Sequence, residues 1–287
     1  KHYKKLLKEL NTRSSLVNQG FEVNNISLNN NNPIPEDLSV LIVADPFIPY
    51  TAIQLQKIKN FIDKGGNIMV LGEPNKQHLL EPILKDIGVQ FNNGMLLQES
   101  KDFSLDLIQS HSSKQASSID VSLNQKDIIS LSGAMSISTK DTLGFNSKPV
   151  LKTDEKFTWN KVGKLNLDTD TIKFNPNFDR KKEYTVASAL TRKINGKEQK
   201  IMVFGDADFI SNKGLNINNL KTKNFEFALK VFKWFSDNEY PIAAERPDPI
   251  DNKIEISREQ IGLLKLIFIV LMPLIIGAYG CLLYTSP

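Results

Sequence analysis

Apolar residues recur along this chain in short blocks separated by Gly, Pro and Asn, and the spacing inside each block predicts its element. Tyr3, Leu6, Leu7, Leu10 and Val17 fall at helical spacing with Lys4, Lys5, Lys8 and Glu9 opposite them, which predicts a helix over about 4–18 stopped by Gly20. Residues 21–23 and 26–28 read as a short strand, and the asparagines of 29–32 with Pro33 and Pro35 as a loop. Residues 39–44 (SVLIVA) are nearly unbroken apolar sequence, the pattern of a strand buried on both faces, and Asp45-Pro46 ends it. Leu55, Ile58, Phe61 and Ile62 then mark one face of an amphipathic helix closed by Lys64-Gly65-Gly66, and 67–71 (NIMVL) is the next buried strand. Strand, helix, strand in this order is a βαβ unit, which pairs its strands in parallel.

Beyond it, Leu79, Leu80, Ile83, Leu84 and Ile87 are helically spaced, with Pro82 placing the expected start near Glu81 and Gly88 ending the turn. From 89 to 183 the blocks shorten to segments such as 128–131, 134–137 and Val150-Leu151, an expected hairpin- and loop-rich insertion. Residues 184–194 and 200–204 read as strands joined by Asn195-Gly196, a strong hairpin turn. A last soluble helix over 219–236 is expected to place Phe225, Ala228, Leu229, Phe232 and Phe235 on one face packed against the sheet, with Val231 and Trp234 flanking it.

The chain closes on LIFIVLMPLIIGAYGCLLY, residues 266–284, and roughly 20 such residues are what a helix needs to cross a bilayer. Lys265 lies where it can snorkel to the interface. The fold expected is therefore α/β, a mostly parallel sheet flanked by helices in a glutamine-amidotransferase-like or flavodoxin-like manner, with the hairpin-rich insertion and a C-terminal transmembrane helix. The domain map is 1–240 for the α/β domain, 241–258 for a linker carrying Pro241, Pro247 and Pro249, and 259–284 for the span. Both ends read as cut. No methionine opens the chain, and 281–287 (CLLYTSP) matches the translation of a transposon-based sequencing adapter.

Charge narrows the partners. A net charge of +4 over 287 residues, with lysines scattered among acids, gives no nucleic-acid footprint. The single cysteine, Cys281, lies in the apolar tail, so thiol catalysis, disulfides and Cys-based zinc sites are not expected in the soluble part. His2, His78 and His111 lack metal-ligand spacing, and no metal or cofactor is expected.

Candidate chemistry gathers where the carboxyl ends of parallel strands line a crevice. Asp45 follows one strand, Glu73 and Asn75 the next, and Asp206 with Asp208 a third. Such a rim could bind a cation or polar ligand, and turn capping by Asp and Asn explains it equally simply. The loop Gly72-Glu73-Pro74 supplies no nucleophile, and G-x-S-x-G, P-loop and G-x-G-x-x-G motifs are absent from the sequence.

Taken in order, VLIVADP at 40–46, FIDKGGNIMVL at 61–71 and VFGDADFISN at 203–212, with Glu245-Arg246-Pro247 and the terminal span containing Pro273, resemble the Gldg family of gliding-motility-associated ABC-type auxiliary membrane proteins of Bacteroidetes. The resemblance thins over 89–183. It implies a non-enzymatic domain on the periplasmic side of the cytoplasmic membrane, working with an ABC-2-type permease and a cytoplasmic ATPase in export or gliding, and it carries over no catalytic residue. Two other readings stand beside it. A membrane-anchored hydrolase would use Asp45, Glu73, Asp206 and Asp208, and a structural ectodomain would lack the ABC partner.

Overall fold

The computed structural model describes residues 2–29, 33–141, 143–163, 165–167, 172–217, 220–240 and 257–285. They fall into two units, a body and a C-terminal helix. The body carries α1 (Lys4–Leu7), β1 (Leu41–Ala44), α2 (Ala52–Asp63), β2 (Ile68–Leu71) and α3 (Gln77–Leu84). There follow β3 (Val89–Phe91), β4 (Met95–Gln98), β5 (Leu107–Ser112), β6 (Ile129–Ser132), β7 (Ile137–Thr139), β8 (Asn146–Thr153) and β9 (Thr158–Lys161). The last elements are β10 (Thr185–Ile194), β11 (Lys197–Phe204) and α4 (Asn224–Phe235).

Seven strands form the central sheet in the order β1-β2-β11-β10-β8-β5-β6, and β3-β7 and β4-β9 form two small ribbons. The βαβ unit is present, with β1 parallel to β2. Strand β11 joins the other side of β2, again in parallel. The remaining pairs, β11–β10, β10–β8, β8–β5 and β5–β6, are antiparallel. The sheet is therefore mixed and mainly antiparallel, which corrects the expectation of a mostly parallel one. The cause is the hairpin. Asn195 and Gly196 take φ of 50° and 79°, the left-handed pair of a type I′ turn, and a two-residue turn can only return the chain antiparallel. The 89–183 segment, expected as an insertion, supplies β5, β6 and β8 and so builds that half of the sheet.

Period-two alternation sends neighbouring residues to opposite cores. Ile68, Val70, Ile201 and Val203 enter a cluster with Ile58, Phe61, Leu80 and Ile83 from α2 and α3. Met69, Leu71, Met202 and Phe204 enter the other, with Phe227, Val231 and Trp234 from α4. Each such side chain contributes about 1.5–3 kcal/mol by leaving water. Helix α2 starts on a capping box, in which Thr51 accepts from Gln54 N and the Gln54 side chain accepts from Thr51 N. It stops at Gly65, φ 96°, whose left-handed turn lets Gly66 N reach Phe61 O at 2.9 Å.

Local predictions fail in four places. The 4–18 helix shrinks to α1 and a 3-10 turn, Leu16–Gln19, because side chains take its carbonyls. Ser15 Oγ donates to Glu9 O, and Asn18 Nδ2 donates to the carbonyls of Glu9, Leu10 and Thr12. The strand expected in 21–28 does not pair. Phe21 turns edge-on to Phe232 and Tyr240 instead, at 5.8 and 5.9 Å. Helix α3 begins at Gln77 and carries Pro82 inside it, at the loss of one backbone bond. Helix α4 begins at Asn224 and buries Phe227 and the flanking Val231 and Trp234 along with Ala228, Phe232 and Phe235, while Phe225 and Leu229 are only partly buried, so its inner face is rotated from the expected one. Asn224 is itself buried, accepting from Ser130 N and donating to Ser130 O and Phe209 O, which closes the β6 edge.

The linker residues 241–256 lie outside the described residues. The second unit is a helix capped by Ser257 and running Gln260–Tyr284, 25 residues whose most apolar 18-residue stretch has a mean hydropathy of 2.6 and is not buried in the structure. At about 1.5 Å per residue it is roughly 37 Å long, enough to cross a hydrocarbon core of about 30 Å. Residues Leu266–Leu271 wind as a π-helix just before Pro273, whose ring removes a donor and crowds the preceding turn.

Candidate functional site

The loops after β1, β2 and β11 lie at one rim, because these are the parallel strands of the sheet and end on the same side. After β1, Asp45 adopts φ 41°, a left-handed conformation that Asp tolerates, and its backbone N still bonds Leu71 O at 3.0 Å. The residue is 4% exposed, and its carboxylate receives Lys76 Nζ at 2.7 Å. After β2, Gly72 N continues the ladder to Phe204 O, and Glu73 Oε1 accepts from Ala207 N at 3.0 Å. After β11, Asp206 is fully buried. Its Oδ2 accepts from Ser132 N at 2.9 Å and its Oδ1 from Asp208 N at 2.6 Å.

Glu73, Asp206 and Asp208 bring carboxylate oxygens within 4.8 Å of one another. Hard oxygen donors at that spacing are the kind calcium takes. Asp206 also serves as a clamp, because its two bonds tie the β11 turn to β6. Asn75 does not join them. It is exposed, at φ 66°, and shapes the turn into α3.

Two residues of this rim were not singled out from the sequence. Lys76, the ion-pair partner of Asp45, also sits 4.4 Å from the centre of the Phe47 ring. Helical spacing alone places Tyr3 on an apolar helix face with Leu6, Leu7 and Leu10. Its segment is pinned by Asn212, whose N donates to His2 O at 2.7 Å and whose Oδ1 accepts from Lys5 N at 2.8 Å. That docking buries the Tyr3 hydroxyl without a hydrogen-bond partner among the described residues. Burial, and then the negative charges of Asp45, Asp208, Glu73 and Asp206, push the phenol well above its ordinary 10.0. No local signal marks Tyr3, since its neighbours are distant in sequence.

The shift has a measurable sign. Unfolded, Tyr3 titrates near 10.0; folded, it keeps its proton to higher pH, so its stabilising contribution is complete below that value and is lost as pH rises above it. Tyr3→Phe removes this loss. Between about pH 9 and about pH 11 the urea midpoint of the variant is expected to fall less than that of the parent. Parallel slopes would show that the Tyr3 hydroxyl is not buried beside the acidic rim. At neutral pH the substitution is expected to be neutral or slightly stabilising, because it deletes a buried hydroxyl that has no partner.

Comparison with known proteins adds the following. A solved structure described as "mmIFT52 N-terminal domain" is similar, with 18% identity, a TM-score of 0.51, and coverage of 72% of this chain and 83% of that one. A putative thua-like protein from Bacteroides uniformis is similar at 10% identity and a TM-score of 0.38, with 70% of each chain covered. At these identities the likeness to the first is one of fold, and the second carries no argument. No curated protein matches the chain. The family model described as "ABC-type uncharacterized transport system" matches residues 7–239.

Proposed function

The chain belongs to the ABC-type uncharacterized transport system family, so its role is an accessory one in ABC-type transport, and from that premise we propose a non-catalytic subunit held beside an ABC-2-type permease and a cytoplasmic ATPase. Its body stands on the periplasmic side of a bacterial cytoplasmic membrane, and its closing helix crosses the bilayer. Within the family we assign it to the Gldg type of gliding-motility or export systems, on the 40–46, 61–71 and 203–212 motifs. The three parallel strands with α2 are the part we read as amidotransferase- or flavodoxin-like.

The observation that carries this reading is one chain joining a family-matched body to a 25-residue helix whose most apolar 18-residue stretch has a mean hydropathy of 2.6. The non-catalytic part is supported by the rim. Asp206 is fully buried with both oxygens on backbone N–H groups, and Glu73 holds Ala207 N. Carboxylates engaged in this way hold turns together.

Affinity purification of the full chain from membranes in mild detergent tests the reading. A multi-span permease and an ATPase with a P-loop are expected to co-elute with it in fixed ratio. Recovery of the chain alone, from membranes that contain such a pair, would overturn it.

A further inference from the structure

Phe47 and Ile48, in the loop after β1, and Ile53, in the first turn of α2, are 74%, 75% and 71% exposed. Elsewhere among the described residues of the body, the large apolar residues exposed by 65% or more, Leu10, Leu143, Val162 and Phe178, stand singly in sequence. Single exposed apolar side chains need no explanation, whereas three together on one short stretch do. The stretch is held rigidly. Buried Asp45 anchors its start, Pro46 and Pro49 restrict its backbone, and the Thr51 capping box fixes its end. Lys76, whose ammonium is paired with Asp45, packs against its edge with Nζ 4.4 Å from the Phe47 ring centre.

We propose that this loop is a second membrane contact, which sets Phe47, Ile48 and Ile53 into the headgroup and upper acyl region of the bilayer that holds the C-terminal helix. Aromatic and aliphatic side chains suit that depth. The occupant is a lipid surface because the chain brings one with it. At no more than about 3.6 Å per residue, the linker 241–256 spans at most roughly 58 Å, so a bilayer engaged by the helix stays within reach. Tethering makes the encounter intramolecular, and a contact too weak to recruit a free protein is then sufficient. The inference rests on the helix residing in lipid and not on the transporter partners.

The full chain reconstituted in phosphatidylcholine nanodiscs, with and without lipids brominated on the acyl chains, tests it. Native Trp159 and Trp234 are buried and set the background emission. A Phe47→Trp or Ile48→Trp variant is expected to lose most of its added emission in brominated discs, as is Val270→Trp within the helix. Quenching of Val270→Trp with none at positions 47 and 48 would overturn the proposal. A blue-shifted but unquenched loop tryptophan would give this surface to a protein partner or a second copy and would overturn it equally. Absence of quenching at position 270 would remove the helix premise, and the loop contact with it.

Discussion

Gly205→Ala is expected to abolish or severely weaken folding of the body. Gly205 ends β11, donating to Val186 O at 2.9 Å and accepting from Met135 N at 2.8 Å. A Cβ at this position would stand 2.0 Å from Met135 O and 2.9 Å from Met135 C. The obstacle is backbone, so no side-chain rotation relieves it. Either the β11 end separates from the 134–137 segment, or both strands shift and disturb the packing of Phe204 and Met135, each fully buried. Overpacking costs about 1–3 kcal/mol where side chains can adjust, and a rigid backbone clash belongs at or above the top of that range. Against a typical domain stability of about 5–15 kcal/mol, the urea midpoint should fall sharply. Gly196→Ala is the control. Its added methyl meets nothing within 4 Å, so only the left-handed φ of 79° is penalised, at about 1–2 kcal/mol. Equal midpoints for Gly205→Ala and the parent would mean that β11 and Met135 are not packed as described.

Paired substitution of Met272 and Ile276 by Arg is expected to release the chain from membranes. Both residues lie near the middle of the Gln260–Tyr284 helix, and both are exposed. An arginine at the centre of a span costs about 2.5–3.5 kcal/mol on the insertion scale, so two cost roughly 5–7 kcal/mol. The measurement is alkaline extraction of membranes. The parent is expected in the pellet and the double variant in the supernatant. If the variant stays in the pellet, the helix is not what holds the chain there, and the body alone accounts for membrane association.

How much of this was legible beforehand depended on the distance over which each feature is encoded. The βαβ unit, the Asn195-Gly196 hairpin and the apolar tail are local patterns, and each was found where the spacing put it. The sheet direction was misread although its cause was in view. The hairpin commits β10 to run against β11, and β8, β5 and β6 then extend the sheet antiparallel, from a stretch whose short polar segments gave little periodicity. The N-terminal helix was lost to Ser15 and Asn18, whose competition for carbonyls depends on how the chain folds back. At the rim, the strand-end positions of Asp45, Glu73, Asp206 and Asp208 followed from the parallel strands. Tyr3 and Lys76 came only with packing.

The sequence by itself determined which stretches alternate for a sheet, which repeat for a helix, where turns must fall, and that one long segment belongs in an apolar surrounding. These follow from backbone geometry and from the cost of leaving apolar area in water, both of which act within a few residues. The tertiary structure alone decided that β11 lies beside β2, that Asn224 closes the far edge, and that the Tyr3 hydroxyl is buried among four carboxylates. Those contacts join residues far apart along the chain. Their energies depend on which surfaces meet, and no local spacing records that choice.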